Sequence, residues 1–184
     1  MTLATTRTYQ DLPDLIAEYR RQHKKIVLTQ GTFDMLHIGH ARYLKEAKSY
    51  GDVLIVGVDS DEKVSARKGP DRPIVPEAER LEMLGHLNSV DHVVLKPQTA
   101  KRWALIKLIQ PDALIATKKT YTKTELEELK KYCQKIVVLE PMATTSTSAK
   151  LRLVQVGAAK KIEKTLSTRL VKAIEEVLLE LKTP

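Results

Sequence analysis

With one cysteine, Cys133, the chain has no partner thiol for an internal disulfide, and a reducing, cytoplasmic setting is expected. No apolar run approaches the ~20 residues that cross a bilayer, so a membrane partner is not expected. The opening residues Met1 to Arg7 pass into polar sequence without the apolar stretch of a secretory signal. Aromatic residues are only 4% of the chain, which argues against the stacking platform that binds single-stranded nucleic acid. Internal repeats and low-complexity linkers are lacking too, so one domain with helical extensions is the economical reading.

What is present suits a soluble globular protein. The 184 residues are 42% hydrophobic and 29% charged, enough to bury a real core. The formal net charge of +8 suits either a nucleic acid or a polyphosphate ligand. Much of the positive charge lies from Lys118 to Lys131 and from Lys150 to Lys172, interleaved with glutamates. Mixed signs of that kind mark solvated helix faces, so nucleic acid is not the expected partner.

Hydrophobic periodicity predicts a helix over 11–23, with Leu12, Leu15, Ile16 and Tyr19 at helical spacing. Lys25–Thr29 reads as a buried strand, 38–50 as a helix closed by Gly51, and Asp52–Asp59 as a second strand. A basic loop, Arg67 to Pro73, precedes a helix opened by Pro76 and running through Leu84. Strands follow at His92–Leu95, Ala113–Ala116 and Lys135–Leu139, separated by helices over 100–110 and 122–132. Five strands alternating with helices predict a doubly wound, Rossmann-like α/β fold with a five-stranded parallel sheet and helices on both faces. Helix is expected again from Thr147, broken near Gly157. Residues 1–156 are thus expected to form the α/β domain and 157–184 a C-terminal helical extension. Within the extension Leu166, Leu170, Ile174, Val177, Leu178 and Leu181 share one face, suited to capping the domain or to a homodimer interface.

The segment Gly31-Thr32-Phe33-Asp34-Met35-Leu36-His37-Ile38-Gly39-His40 concentrates the chemistry. A glycine ends the first strand and a helix starts beyond it, offering unpaired N–H groups and a partial positive charge to an anion. His37 and His40 are three residues apart, so both imidazoles lie on one side of the first turn. Such a pair suits a triphosphate whose leaving pyrophosphate develops charge. A metal site, or two histidines satisfied by backbone, would use the same spacing.

The complete string resembles the signature of the cytidylyltransferase-like nucleotidyltransferase family, with its His-x-Gly-His element intact. From Lys25 to Leu95 the chain is similar to the adenylyltransferase module of bacterial ADP-heptose synthases. The likeness includes Gly-His-Ala-Arg-Tyr-Leu-Lys-Glu-Ala-Lys after the motif, Val58-Asp59-Ser60-Asp61, Lys68-Gly69, Arg72-Pro73, Pro76, Arg80 and Val90-Asp91. It continues weakly to about Arg152. Class I aminoacyl-tRNA synthetases share a related element, but they are usually much longer and a Lys-Met-Ser-Lys-Ser-like loop is missing here.

The resemblance implies transfer of a nucleoside monophosphate, AMP from ATP above all, to a phosphorylated acceptor such as a sugar 1-phosphate, with release of pyrophosphate. It implies that His37, His40 and Lys68 are catalytic, and that Gly31, Thr32, Phe33 and Gly39 surround the nucleotide. Ser146, Thr147, Ser148 and Arg152 form a second phosphate element in the family pattern. Asp34, Arg67, Lys68, Arg80, Lys118 and Tyr121 fall on the acceptor side. Mg²⁺ is expected with the triphosphate, held by phosphate oxygens and water, with no protein metal site. The pattern departs at Lys118-Lys119-Thr120-Tyr121, where heptose-type relatives carry a Gly-Gly-Asp-Tyr-like segment. Alternatives are a glycerol-3-phosphate-type cytidylyltransferase using CTP, an FAD-synthetase-like adenylyltransferase, and a nucleotide-binding regulatory protein without turnover.

Overall fold

The computed structural model describes residues 4–118, 120–140, 142 and 147–180, and within 147–180 the side chains of 154, 156–158, 160 and 161–172. Six strands and seven helices follow one another among them. The strands are β1 (Thr5–Arg7), β2 (Ile26–Gly31), β3 (Val53–Asp59), β4 (His92–Lys96), β5 (Ala113–Thr117) and β6 (Lys135–Leu139). The helices are α1 (Leu12–Arg21), α2 (Ile38–Lys48), α3 (Asp61–Lys68), α4 (Glu77–Gly85), α5 (Ala104–Ile109), α6 (Lys123–Leu129) and α7 (Thr147–Glu180).

Alternation along single strands fixes the layering. On β2, Ile26 and Leu28 enter an apolar cluster with Leu12 and Ile16 of α1, Leu105, Ile106 and Ile109 of α5, and Leu129 of α6. Val27 enters a second cluster with Leu44 and Ala47 of α2 and Leu84 of α4. On β3, Val53 and Ile55 take the first side, and Leu54, Val56 and Val58 the second. Successive strand residues point to opposite faces, so helices cover both sides of the sheet. Each fully buried aliphatic side chain contributes about 1.5–3 kcal/mol.

All strand pairs are parallel, in the order β1-β4-β3-β2-β5-β6. The winding direction reverses between β2 and β5. A crevice for ligands is therefore expected beyond the carboxyl ends of these two strands. Tyr43 of α2 anchors that point, its hydroxyl lying 2.7 Å from Thr29 Oγ1 and 3.2 Å from the Ile115 carbonyl. Burial pushes this phenol up to about 12.

Four expectations change. The sheet has six strands rather than five, because Thr5–Arg7 pairs with β4 at the edge. Three polar residues are too few to show a period of two. Asp61–Lys68 is a helix, with Ser60 Oγ accepting from Lys63 N at 3.3 Å. Arg67 and Lys68 therefore end a helix, where cations favour the dipole, instead of opening a loop. The helix expected from Ala100 begins only at Ala104, after a left-handed Trp103 with φ of 59°. Finally, α7 runs unbroken through Gly157. A glycine inside a helix costs about 1 kcal/mol and does not by itself end one.

The chain divides into two compact units, Met1–Thr144 and Thr145–Pro184. The first holds the whole sheet. In the second, Ile162, Leu166 and Leu170 are 60%, 61% and 65% exposed. Among the described residues, no helix is long and apolar enough to cross a membrane.

Candidate active site

The loop after β2 is shaped by what Gly31 omits. A Cβ there would lie 3.1 Å from Cε2 of Phe33, so the glycine makes room for the Phe33 ring to fold back over the strand end. Phe33 and Met35 both adopt left-handed backbone, with φ of 53° and 50°. Non-glycine residues hold such angles only where the surroundings impose them.

The surroundings are polar and buried. Asp34 is 4% exposed and accepts the N–H groups of Ile74 and Val75 at 3.1 and 3.0 Å. It also pairs with Nη2 of Arg72 at 2.7 Å, beside a cis Arg72–Pro73 peptide. Asp34 thereby fastens the loop to the segment that precedes α4. The Thr32 hydroxyl accepts from Arg67 Nη2 at 2.9 Å, and its carbonyl accepts from Arg80 Nη1 at 2.5 Å.

At the start of α2, His37 is the N-cap, in extended conformation. Its Nδ1 accepts the Gly39 N–H at 3.1 Å, and Nδ1 of His40 accepts the His37 N–H at 3.4 Å. Side chains that accept the first amides of a helix satisfy donors the helix itself cannot. With Nδ1 accepting, the proton of each neutral ring sits on Nε2. The rings lie 4.1 Å apart, and the Phe33 ring meets His40 edge-on at 5.6 Å. Two half-buried N–H donors and a helix N-terminus thus gather at the end of β2. The arrangement suits a polyphosphate.

Arg67 joins this loop to a buried carboxylate. Asp59, 2% exposed, pairs with Arg67 Nη2 and with Lys96 Nζ, both at 2.9 Å. Burial alone would raise the Asp59 pKa, but the adjoining Lys96 and Arg67 charges win and hold it below the ordinary carboxylate value. Lys68 lies beyond Arg67 at the end of α3. Partial desolvation and the charges of Arg67 and Arg72 lower the pKa of its ammonium.

Arg80, expected beside the acceptor, is placed otherwise. It is 1% exposed, and its guanidinium donates to Val75 O, Thr32 O, Asp59 O and Asp61 Oδ1. Every nitrogen is occupied by protein, so this arginine braces the loop after β2 against α3 and α4. Its acidic partner is Asp61 and not a surface glutamate.

Of the other expected residues, Tyr121 is half-buried and its hydroxyl accepts from Gln30 Nε2 at 3.0 Å. Lys118 is exposed and pairs with Glu140 Oε1 at 2.5 Å. Ser146, and the side chains of Thr147, Ser148 and Arg152, lie outside the described residues, as does Lys119. The geometry brings Gly31, Thr32, Phe33, Asp34, His37, Gly39, His40 and Arg67 into one connected group. Lys96 and the Asp59 that holds it went unassigned in the sequence. Their signal was a charged residue ending each of two apolar strands, Val53–Asp59 and His92–Lys96.

The model of the cytidylyltransferase-like family matches residues 28–174. The bifunctional protein HldE of Aliarcobacter butzleri is 45% identical over 109 residues, covering 59% of this chain and 23% of that protein. The bifunctional protein HldE of Methylobacillus flagellatus is 38% identical over 140 residues, covering 74% of this chain and 28% of that protein. The chain thus spans about a quarter of the length of these relatives. Among solved structures, the lipopolysaccharide core biosynthesis protein of Thermoplasma volcanium superposes with a TM-score of 0.57 at 31% identity, covering 65% of this chain and 99% of that one. The pantoate-beta-alanine ligase of Francisella tularensis shares the fold at a TM-score of 0.58 and 18% identity, covering 79% and 69%.

Proposed function

Because this chain belongs to the cytidylyltransferase-like family, we propose that it transfers a nucleoside monophosphate, AMP from ATP, to the phosphate of a sugar 1-phosphate. The observation that carries this reading is the His37–His40 pair, whose Nδ1 atoms are taken by backbone N–H groups so that Nε2 donates. In the reaction an acceptor phosphate oxygen attacks the α-phosphorus in line. The new oxygen–phosphorus bond forms as the bond to the bridging oxygen of the β-phosphate breaks, and pyrophosphate leaves with that electron pair. His37, His40 and the α2 amides stabilise charge growing on the leaving group, while Lys68 and Arg67 receive the acceptor phosphate. By the family resemblance, Ser146, Thr147, Ser148 and Arg152 hold the far phosphates. Asp34 orders the loop.

Among the described residues, no group of three His, Cys, Asp or Glu side chains could hold a metal. Asp34 and Asp59 are each engaged by cations of the chain. Mg²⁺ belongs to the same reading as a companion of the triphosphate, neutralising phosphate oxygens. A cytoplasmic setting accords with Cys133, a buried free thiol whose pKa burial raises to about 11. Self-association as a homodimer through α7 belongs to the same reading, supported by the exposure of Ile162, Leu166 and Leu170.

A pyrophosphate-release screen of ATP and CTP against phosphorylated acceptors tests the function. Turnover is expected with ATP and a sugar 1-phosphate. Turnover with CTP and glycerol 3-phosphate alone would replace this reading by the cytidylyltransferase one.

A further inference from the structure

A cavity of about 290 Å³ opens beside the carboxyl ends of β2, β3 and β4, on the sheet face covered by α5. It is separate from the histidine pair and contains none of the residues assigned above except Tyr121. Gly57 of β3 makes room for three of the side chains that line it. A Cβ there would lie 2.9 Å from Lys96 Cδ, 3.1 Å from Gln30 Cγ and 2.6 Å from Leu105 Cδ2. The stems of Lys96 and Gln30 therefore pass directly over the strand.

The lining is one-sided in charge. Lys63, Lys96, Lys101 and Arg102 contribute to it, and among the described residues no carboxylate does. Asp59 lies behind Lys96 and holds its Nζ. The same Asp59 holds Arg67, which holds Thr32, so three contacts of 2.9 Å link the cavity to the loop before the histidines. β4 is two strands from β2, ~10 Å at ordinary strand spacing.

The lining is also aromatic in a chain with little aromatic content. Trp103, the chain's one tryptophan, joins Tyr9 and Tyr121 there. Trp103 takes the left-handed conformation, uncommon for a bulky residue. The Arg102 guanidinium stacks 4.2 Å from its ring centroid and pairs with Glu125 at 2.7 Å. The indole, covered by Arg102 over its ring and packed against the apolar cluster of α1 and α5, lines the cavity together with Gln30 and Gln98, whose amides can both donate and accept. A ligand that matches has an anionic group, a ring with an apolar face, and hydroxyls at its edge.

We infer that this cavity is the acceptor subsite, with Trp103 under the ring of a sugar monophosphate, Gln30 and Gln98 at its hydroxyls, and Lys63 and Lys96 directing its phosphate toward Arg67. Lys101 and Arg102 form the cationic rim. The inference rests on the nucleotidyl-transfer reading for its reaction, but its binding step is measurable without turnover.

The tryptophan reports on the site it lines. The full-length protein is titrated with a heptose 1-phosphate, glucose 1-phosphate, inorganic phosphate and MgATP, each alone, while Trp103 fluorescence is followed. A saturable change is expected with a sugar 1-phosphate and not with MgATP, and it persists in His37→Ala, where turnover is lost. Lys63→Ala, at a half-buried position, and Lys101→Ala, at an exposed one, are expected to raise the Kd and the acceptor KM about tenfold each, as loss of a charge-assisted bond does, with the urea midpoint read alongside. The nucleotide KM stays unchanged. A saturable sugar-phosphate signal without pyrophosphate release in wild type would leave the subsite standing and remove the transfer reaction. Turnover on sugar phosphates with wild-type acceptor KM in both lysine variants would remove the subsite and leave the reaction. A fluorescence response to MgATP alone, or to no sugar phosphate at all, also overturns the inference.

Discussion

With backbone N–H groups on Nδ1, the neutral rings of His37 and His40 donate from Nε2, so helix capping and the proposed phosphate contacts use the same two rings. Replacing either by alanine removes one preorganised donor, which costs ~10²–10³ in rate at comparable sites. We expect His37→Ala and His40→Ala each to lower kcat by about that factor with the far-UV circular dichroism spectrum unchanged. Wild-type kcat in both variants would exclude them as catalytic groups. Asp59 carries a pH dependence. Its folded pKa lies below the ordinary carboxylate value, so the stability it contributes is complete above that value and is lost as pH falls through the lowered one. In urea titrations the wild type should lose stability across this acid window. Asp59→Asn should be less stable at neutral pH, because Lys96 keeps a buried charge without its carboxylate, and should show a flatter acid limb. An acid limb as steep as wild type would assign the effect to other carboxylates.

Individual elements explain why some features were legible and others were not. The Gly31–His40 string was readable because its parts are contiguous and the turn of α2 brings His37 and His40 together unaided. The strands β2 to β6 were readable because each is a short apolar run. β1 was not, since Thr5–Arg7 owes its strand conformation to pairing with β4 and not to its own pattern. α3 was hidden because only Val64 of its eight residues is buried. The role of Arg80 was also out of reach, because its partners come from the loop after β2, from β3, from α3 and from the segment before α4. That bracing gives a test at this scale. A lysine cannot reproduce a fork that donates to four acceptors. Arg80→Lys is therefore expected to destabilise the protein by about 3 kcal/mol, in line with breaking a buried, paired charge, as read by the urea midpoint at constant slope. A change within about 0.5 kcal/mol, the range of ordinary surface substitutions, would show that the bracing is dispensable.

For the whole molecule, both apolar clusters fall inside the unit Met1–Thr144, while the second phosphate element implied by the family pattern begins at Ser146. Fold and complete chemistry should thus separate. A fragment ending at Thr144 is expected to keep a cooperative urea transition and to lose turnover. A fragment that fails to fold would show that α7 is needed by the sheet. The cavity around Trp103 belongs to this scale as well. Its lining comes from Tyr9, Gln30, Lys63, Lys96 and Tyr121, distant in sequence and brought together only by the strand order. The proposed reaction is displacement at the α-phosphorus of ATP by a sugar 1-phosphate. The most direct test supplies ATP labelled with ³²P at either the α or the γ position, together with a heptose 1-phosphate and Mg²⁺. The α label should enter a nucleotide sugar and the γ label should leave in pyrophosphate. Transfer of the γ label to the acceptor, or tight ATP binding with neither label moving, would exclude adenylyl transfer.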